Sequence, residues 1–263
     1  MITTIEKDIL VALGEFEVDD SVTVLYAVEN GSRVWGFDTP SSDYDIRFVY
    51  KHPLEEYHKI HLAREDITYN NGLLDFVGFD IHKFMNLLWK SNPTTIEWLQ
   101  CEKPYISHLD FAILYDFVRD NFNPKALFMH YYHLALTNYA KYVLKQDMVR
   151  NKKLLYVLRG IHNAMIVQKR GILPPVKFLD GIEYMERDIY NVYVRGEIDN
   201  ILNNKDNETE KVDLTVILDY IANMFAFLGE AKVRDKIEDK PYTNIYTHFL
   251  DEVLWYLLNS SEY

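Results

Sequence analysis

The sequence is poor in cysteine and shows none of the segments that mark export. Its 263 residues include one cysteine, Cys101, which excludes an internal disulfide framework and any cysteine-rich zinc site. We see no apolar run of about 18 residues, the length that a membrane-spanning helix needs. The N-terminal residues lack the basic and apolar regions of a signal peptide. We therefore expect no transmembrane helix and a cytoplasmic location.

Several common catalytic motifs are also absent. The chain has no Walker-type lysine loop, no Rossmann glycine fingerprint and no Gly-x-Ser-x-Gly elbow, which argues against P-loop, dinucleotide-binding and serine-hydrolase chemistry. The nine histidines form no convincing metal-ligand set, because the pairs His58/His61 and His130/His133 lack a third ligand at a suitable spacing. Cys101 has no evident catalytic partner.

Positive charge is scarce overall and concentrated in one segment. The formal net charge of −12 argues against a protein that binds long duplex DNA, because such binding depends on phosphate neutralisation by basic residues. Residues 141–170 nevertheless contain eight basic residues and one acidic residue. A basic segment in an acidic protein predicts an anion-binding surface.

The stretch from Gly31 to Asp45 is the most informative part of the chain. A Gly31-Ser32 turn is followed by a polar loop and then by Asp43 and Asp45. If Asp43 to Tyr50 is a strand, both carboxylates lie on the same face. Two such carboxylates repel each other unless a cation lies between them. Mg²⁺ takes carboxylate and phosphate oxygens, and the backbone N–H groups of a Gly-Ser turn suit a phosphate. The pattern predicts a metal-dependent phosphate site.

The order of these elements resembles a known signature. Gly-Ser, a spacer and Asp-x-Asp are found in the DNA polymerase beta superfamily of nucleotidyltransferases. A narrower resemblance, to the RNA-repair branch associated with RNA ligases in bacteria and phages, rests on Gly31-Ser32-Arg33, Trp35-Gly36 and Ser42-Asp43-Tyr44-Asp45-Ile46-Arg47. The resemblance implies transfer of a nucleoside monophosphate from an NTP to a hydroxyl, with release of pyrophosphate and with Mg²⁺ or Mn²⁺ as cofactor.

The resemblance also implies a third catalytic carboxylate on a strand next to the Asp-x-Asp strand. The segment from Leu73 to Asp80 offers two candidates. Asp75 lies inside an otherwise apolar strand, where an unpaired carboxylate is costly. Asp80 has a simpler explanation, because it can cap the helix that follows. We therefore assign Asp43, Asp45 and Asp75 as metal ligands and keep Asp80 as the alternative third carboxylate.

Nucleotide binding is assigned to residues around the same motif. The resemblance implies that the backbone N–H groups near Gly31 and Ser32, with the Ser32 hydroxyl, bind the triphosphate. Ser42, which directly precedes Asp43, is also assigned to nucleotide binding. Arg33 and Arg47 can neutralise the charge that develops on the transferring and leaving phosphates.

A second group of nucleotide-binding candidates lies in the basic segment. Lys152, Tyr156 and Arg159 follow each other at i, i+4 and i+7, which is one face of a helix. Family members resemble this Lys-Lys-x-x-Tyr-x-x-Arg pattern, in which the basic residues bind phosphates while the tyrosine stacks on the base. The alternative is a solvated basic stripe beside a core tyrosine.

The predicted fold is α+β. A small mixed β-sheet of three or four strands forms a nucleotidyltransferase domain over residues 1–105, and an all-helical C-terminal domain follows over residues 106–263. Strands are predicted at Val22–Glu29, at Asp45–Tyr50 and on both sides of the Asn70-Asn71-Gly72 turn, which is a strong hairpin signal. Residues 203–210 are predicted to be a polar linker.

The acceptor is the least defined part of the prediction. The resemblance favours an RNA 3′ end or a tRNA-like end, with no membrane or long duplex DNA as partner. Transfer to a protein side chain or a small molecule is the alternative. A catalytically silent module that binds nucleotides or a partner is the second alternative. The sequence predicts no oligomeric state.

Overall fold

The computed structural model describes residues 3–61, 63–107, 109–185, 192–240 and 243–260, and the side chains of residues 109 and 110 are not described. The chain divides into two compact units. Unit 1 comprises Met1–Arg33, Ser41–Phe122 and Tyr242–Tyr263, and unit 2 comprises Val34–Pro40 and Asn123–Pro241. The α+β fold with a small mixed sheet is confirmed. The predicted domain ranges, 1–105 and 106–263, stay predictions.

A five-stranded sheet forms the centre of unit 1. Its strands are β1 (Thr23–Asn30), β2 (Tyr44–Lys51), β3 (Asp66–Asn70), β4 (Leu74–Asp80) and β5 (Ile106–Ser107). Their order in the sheet is β3-β4-β2-β1-β5. The pair β2–β4 is parallel, and the other neighbouring pairs are antiparallel. The sequence predicts three or four strands and misses β5, because two residues are too few to show an alternating pattern.

Helices of unit 1 pack on this sheet or follow it in the chain: α1 (Thr4–Asp19), α2 (Gly31–Trp35, which enters unit 2 at Val34), α3 (Ile81–Trp89), α4 (Pro93–Leu99) and α5 (Leu109–Asn121). A capping box formed by Thr3 and Glu6 begins α1. The buried α1 residues share a core with Ile46, Phe48 and Phe76 of the sheet. Because side chains alternate along a strand, the neighbours of these core residues on β2 and β4 lie on the opposite face.

Unit 2 is mostly helical and contains one short β-ribbon. Its elements are α6 (Pro124–Tyr142), β6 (Met148–Arg150), α7 (Asn151–Arg170), α8 (Phe178–Ile182), α9 (Val192–Asn203), β7 (Glu208–Glu210), α10 (Thr215–Gly229) and α11 (Ala231–Arg234). The core of the unit is built around α7, in which Leu154, Leu158 and Ile161 are buried.

The ribbon pairs β6 with β7 in antiparallel register, so the prediction that residues 203–210 are only a linker is wrong. Backbone contacts hold this segment beside the start of α7, since the amide nitrogen of Asn151 donates to the carbonyl oxygen of Asn207. The β7 residues Glu208, Thr209 and Glu210 are polar and largely exposed. They therefore carry none of the apolar alternation by which a strand is recognised in a sequence.

One helical stretch of the described chain, Lys211–Gly229, has the length and apolar composition of a membrane-spanning helix. The sequence analysis does not lead us to expect such a stretch. The stretch consists of a short 3-10 turn followed by α10. It buries Ile217, Tyr220, Ile221 and Leu228, and α10 contacts α7 and α9 of its own unit. Core helices of globular proteins pass the same test of length and composition.

The last helix of unit 1, α12 (Asn244–Asn259), is held at its C-terminal end by a buried lysine of the sheet. Lys51 Nζ donates hydrogen bonds of 2.7 Å to the carbonyl oxygen of Leu257 and 2.9 Å to that of Ser260. Burial lowers the pKa of Lys51. Carbonyl groups at a helix end lack partners within the helix and carry partial negative charge. Lys51 satisfies two of these carbonyls.

We expect Lys51→Met to lower the free energy of unfolding by about 2 kcal/mol, because two buried carbonyl groups lose a charged donor. Urea denaturation measures the change. Lys59→Met is the matched control, since Lys59 pairs with Glu56 at an exposed position. It should change stability by less than about 0.5 kcal/mol. Equal losses in the two variants would contradict the assigned role of Lys51.

Candidate active site

Two neighbouring strands bring two of the predicted carboxylates side by side. Asp45 on β2 and Asp75 on β4 are direct partners in the parallel register. Both lie next to core residues of their strands and so project from the face opposite α1. Asp43 directly precedes β2. Burial raises the pKa of the Asp45 carboxyl, Arg47 opposes this rise, and the charges of Asp43 and Asp75 add to it. The three carboxylates therefore interact electrostatically.

Arg47 lies between two of these carboxylates. Its Nη2 atom donates a 2.7 Å hydrogen bond to Asp45 Oδ1 and a 3.0 Å hydrogen bond to Asp75 Oδ2. Its Nη1 atom donates to the backbone carbonyl oxygens of Ile46 and Asp75 at 3.1 and 2.9 Å. The guanidinium is partly buried. Its charge offsets the repulsion between two carboxylates that lie side by side.

Asn70 supports Asp75 from the adjacent strand. Its Nδ2 atom donates a 2.9 Å hydrogen bond to Asp75 Oδ1, and Asn70 and Asp75 are partners in the β3–β4 hairpin. The sequence analysis assigns no role to Asn70 beyond the turn. The signal that could have indicated this contact is positional, because a two-stranded hairpin places the residues on either side of its turn opposite each other.

Gly31 and Ser32 form a close-fitting turn beside Asp45. Gly31 has φ +71°, a conformation that residues with a Cβ rarely adopt. A Cβ added to Gly31 would overlap the Oδ2 atom of Asp45, so this position requires glycine for two independent reasons. Ser32 is 2% exposed, and its Oγ atom has no hydrogen-bond partner within the described residues. The turn therefore leaves no room for a side chain at position 31, and its buried Ser32 hydroxyl has no hydrogen-bond partner among the described residues.

Arg33 holds the loop that leads to Asp43. Its side chain donates to the backbone carbonyl oxygens of Ser42 at 2.6 Å and Asp43 at 3.1 Å. Its guanidinium also lies 3.8 Å from the centroid of the Tyr44 ring, a cation–π contact. Ser42 is buried. These contacts give Arg33 a positioning function for Asp43. The predicted contacts of Arg33 and Ser42 with a nucleotide stay predictions.

Asp80, the alternative third carboxylate, caps α3. It accepts a 2.9 Å hydrogen bond from the backbone N–H of His82 and a 2.6 Å hydrogen bond from the Tyr57 hydroxyl. Asp80 lies opposite Tyr50 at the far end of the β2–β4 pair, five residues or about 16 Å along the strand from Asp75. The geometry therefore brings Asp75, and not Asp80, to the position beside Asp45.

Lys152, Tyr156 and Arg159 lie on α7 in unit 2. Arg159 is 5% exposed, and its guanidinium lies 4.4 Å from the centroid of the Trp35 ring. Trp35 contacts Tyr156 edge-on, at 5.5 Å between ring centroids. Arg159 and Tyr156 therefore pack in an aromatic cluster and do not form a solvated stripe. Trp35 is part of the motif string, but the sequence analysis assigns it no role. The nucleotide-binding role of the α7 residues stays a prediction.

The residues beside Asp45 have the chemistry that a divalent cation and a phosphate require. Carboxylate oxygens are the protein ligands that Mg²⁺ and Mn²⁺ prefer, and the unpartnered Ser32 hydroxyl can donate to a phosphate oxygen. In the present conformation, no three His, Cys, Asp or Glu side chains of the described chain form a ligand set. Arg47 instead bridges Asp45 and Asp75. The residue types fit the metal, and Arg47 determines their present arrangement.

A glycine turn beside two strands with paired carboxylates is the arrangement that the sequence resemblance predicts for a nucleotidyltransferase of the polymerase beta type. The chain belongs to the RNA repair pathway DNA polymerase beta family, RlaP, whose model matches residues 5–251, which confirms the resemblance seen in the sequence. Proteins of this class generally use divalent metal ions.

Two individual proteins are similar to this chain. The uncharacterized protein YcgL of Bacillus subtilis (strain 168) is 33% identical over 245 residues, which are 91% of this chain and 92% of that protein. A crystal structure of a nucleotidyltransferase-like protein from Exiguobacterium sibiricum 255-15 shares 10% identity. It has a TM-score of 0.33 and covers 95% of this chain and 74% of its own. A similarity of that extent adds no support to the assignment.

Proposed function

We propose that this protein transfers a nucleoside monophosphate from an NTP to a hydroxyl acceptor and releases pyrophosphate. The observation that carries the proposal is that Asp45 and Asp75 are direct partners in the β2–β4 strand pair, next to the close-fitting turn at Gly31. The attacking hydroxyl oxygen forms a bond to the α-phosphorus, and the bond from that phosphorus to the oxygen bridging to the β-phosphate breaks. The acceptor hydroxyl gives up its proton to water, and pyrophosphate leaves with the bridging oxygen.

Asp43, Asp45 and Asp75 would hold Mg²⁺ or Mn²⁺, which supplies charge neutralisation and activation of the attacking hydroxyl when it is bound. In our proposal, Asp75 serves the attacking hydroxyl. The Ser32 hydroxyl and the backbone around Gly31 bind the triphosphate, because the Ser32 Oγ atom is buried and has no partner in the described part of the chain.

The remaining predicted residues act on the nucleotide through charge and stacking. Arg33 and Arg47 neutralise phosphate charge near the motif. Ser42 contacts the nucleotide at the same motif. Lys152 and Arg159 are proposed to bind phosphates, and Tyr156 to stack on the base. These roles rest on the family resemblance and on residue chemistry.

We further propose that the acceptor is the 3′ end of an RNA, as the RNA-repair description of the family suggests. A basic cluster in unit 2 supports this choice. The Nζ atoms of Lys141 and Lys153 each lie 4.9 Å from the centroid of the Tyr142 ring, and Lys145 is exposed nearby in the chain. Among the described residues, no carboxylate pairs with these three lysines. Lysines of this kind can bind the phosphates of a single strand.

We expect Lys141→Gln/Lys153→Gln to weaken the binding of a single-stranded RNA by about tenfold at low salt, because two phosphate contacts are lost. The slope of log affinity against log salt concentration should fall by about 1.4. Fluorescence anisotropy across a NaCl series measures both quantities. The matched control is Lys169→Gln/Arg170→Gln, which removes the same charge from the other end of α7. Equal weakening by the control would contradict a specific surface.

A transfer assay tests the acceptor. The purified protein is incubated with each α-labelled NTP, Mg²⁺ or Mn²⁺, and a short RNA that ends in either a 3′-hydroxyl or a 3′-phosphate. We expect label only on the 3′-hydroxyl RNA, and none with Asp43→Ala/Asp45→Ala. Label on a protein or a small molecule would favour the alternative acceptors. NTP binding without any transfer would favour the silent module.

The proposed reaction also leads us to expect a particular location and particular partners. NTPs are the substrates, so a cytoplasmic location belongs to the proposal. Long duplex DNA is not proposed as a partner, because the net charge of −12 opposes extended phosphate binding.

A further inference from the structure

The side chain of Arg47 occupies the place between two proposed metal ligands. It makes four hydrogen bonds, two to the carboxylates of Asp45 and Asp75 and two to backbone carbonyl oxygens on the same strand pair. Bridging contacts of this kind from one guanidinium to two carboxylates are strong, because both partners are charged and the guanidinium fork is planar. These four hydrogen bonds hold the Arg47 guanidinium in the site.

The surroundings of each carboxylate oxygen show what a cation would have to replace. Asp75 accepts hydrogen bonds from Arg47 at Oδ2 and from Asn70 at Oδ1. Asp45 accepts a hydrogen bond from Arg47 at Oδ1, while its Oδ2 lies against Gly31. The guanidinium therefore contacts one oxygen of each carboxylate, Asp45 Oδ1 and Asp75 Oδ2. A divalent cation that binds both side chains competes with Arg47 for these oxygens.

We propose that Arg47 is an internal counter-ion, which holds Asp45 and Asp75 together until a divalent cation displaces its guanidinium. The inference rests on the proposed function, because it assumes that these aspartates bind the metal. Arg47 is then a positioning residue that lowers the metal affinity of the site and prevents the carboxylates from separating. Once displaced, the guanidinium becomes available to the phosphates of the incoming nucleotide. Metal binding and phosphate binding are coupled in this way through one side chain.

The test is the affinity of the protein for Mn²⁺ without nucleotide, measured by electron paramagnetic resonance of free Mn²⁺. Arg47→Gln removes the charge and should bind Mn²⁺ about tenfold more tightly than the wild type. Arg47→Lys keeps the positive charge but not the guanidinium fork, so its Mn²⁺ affinity should lie between those of the wild type and Arg47→Gln. Lys83→Gln is the control for net charge, since Lys83 pairs with Asp66 at the opposite end of β4. It should leave the Mn²⁺ affinity unchanged.

Thermal unfolding gives a second readout. Without metal, Arg47→Gln should unfold at a lower temperature than the wild type, because the two carboxylates lose their counter-ion. Mn²⁺ should raise its unfolding temperature more than that of the wild type, since ligand stabilisation grows with affinity. If Arg47→Gln folds only with Mn²⁺, the midpoint of that transition reports the affinity and supports the proposal.

Failure of the inference can be distinguished from failure of the proposed function. A wild-type protein that binds no Mn²⁺ would refute the metal site itself. A wild type that binds Mn²⁺, together with an Arg47→Gln variant that binds it equally or more weakly, would overturn the counter-ion role alone. An Arg47→Gln variant that stays unfolded at every Mn²⁺ concentration would also overturn it, because Arg47 would then serve the fold and not compete with the cation.

Discussion

Asp45→Asn is expected to lower kcat for nucleotidyl transfer by about 10³-fold or more, because the substitution removes the charge of a proposed metal ligand. Asp45 lies at the centre of the site, because it lies beside Asp75, accepts a hydrogen bond from Arg47 and lies against Gly31. Asparagine has nearly the same shape as aspartate, so the fold should survive. Pyrophosphate release measures the rate, and circular dichroism checks the fold.

The matched control for this variant is Asp66→Asn. Asp66 is an acidic residue of β3 that pairs with Lys83, and it lies at the opposite end of the β3–β4 hairpin from Asp75. The same chemical change there should alter kcat by less than about twofold, because a partly exposed ion pair contributes little. An Asp45→Asn variant with near wild-type turnover would contradict the proposed mechanism, whatever the control shows.

Gly31→Ala is expected to reduce activity by about 100-fold and to lower the free energy of unfolding by about 2–5 kcal/mol. The left-handed backbone at φ +71° costs a residue with a Cβ about 1–2 kcal/mol. The added Cβ also overlaps the Asp45 carboxylate, and relief of such an overlap costs about 1–3 kcal/mol. Because the carboxylate has to move, a displacement of about 1 Å is sufficient to impair catalysis. Urea denaturation and the transfer assay measure the two effects.

Gly171→Ala separates the backbone effect from the displacement of Asp45. Gly171 has φ +63° at the end of α7, and a Cβ there would meet no atom within 4 Å. It should lose about 1–2 kcal/mol of stability and keep full activity. If Gly31→Ala behaved like Gly171→Ala in both measurements, the close fit between Gly31 and Asp45 would have no functional consequence.

The parts of the structure that the sequence predicts are those with local signals. A run of β-branched and aromatic residues predicts β1, and the Asn71-Gly72 turn predicts the hairpin of β3 and β4. The helix cap at Asp80 follows from its place before the periodic residues of α3. The Gly31-Ser32 turn and the two aspartates of the motif could be recognised because they are close in the chain.

The parts that could not be predicted depend on contacts between distant segments. The position of Asp75 opposite Asp45 requires the parallel register of β2 and β4, which no local pattern specifies. Arg47 is predicted as a phosphate ligand, whereas its bridge between the two carboxylates becomes visible only in the folded strands. The ribbon of β6 and β7 and the contact of Arg159 with Trp35 also join segments far apart in sequence.

Nucleotidyl transfer from an NTP to a hydroxyl releases pyrophosphate, so measuring that release tests the proposed reaction. The measurement uses the wild type and Asp43→Ala/Asp45→Ala, each NTP in turn, Mg²⁺ or Mn²⁺, and RNA with a free 3′-hydroxyl. We expect the wild type to release one pyrophosphate for each nucleotide transferred and the double variant to release none. Equal release from both proteins, or a wild type that binds NTP yet releases no pyrophosphate with any acceptor, would refute the proposed reaction.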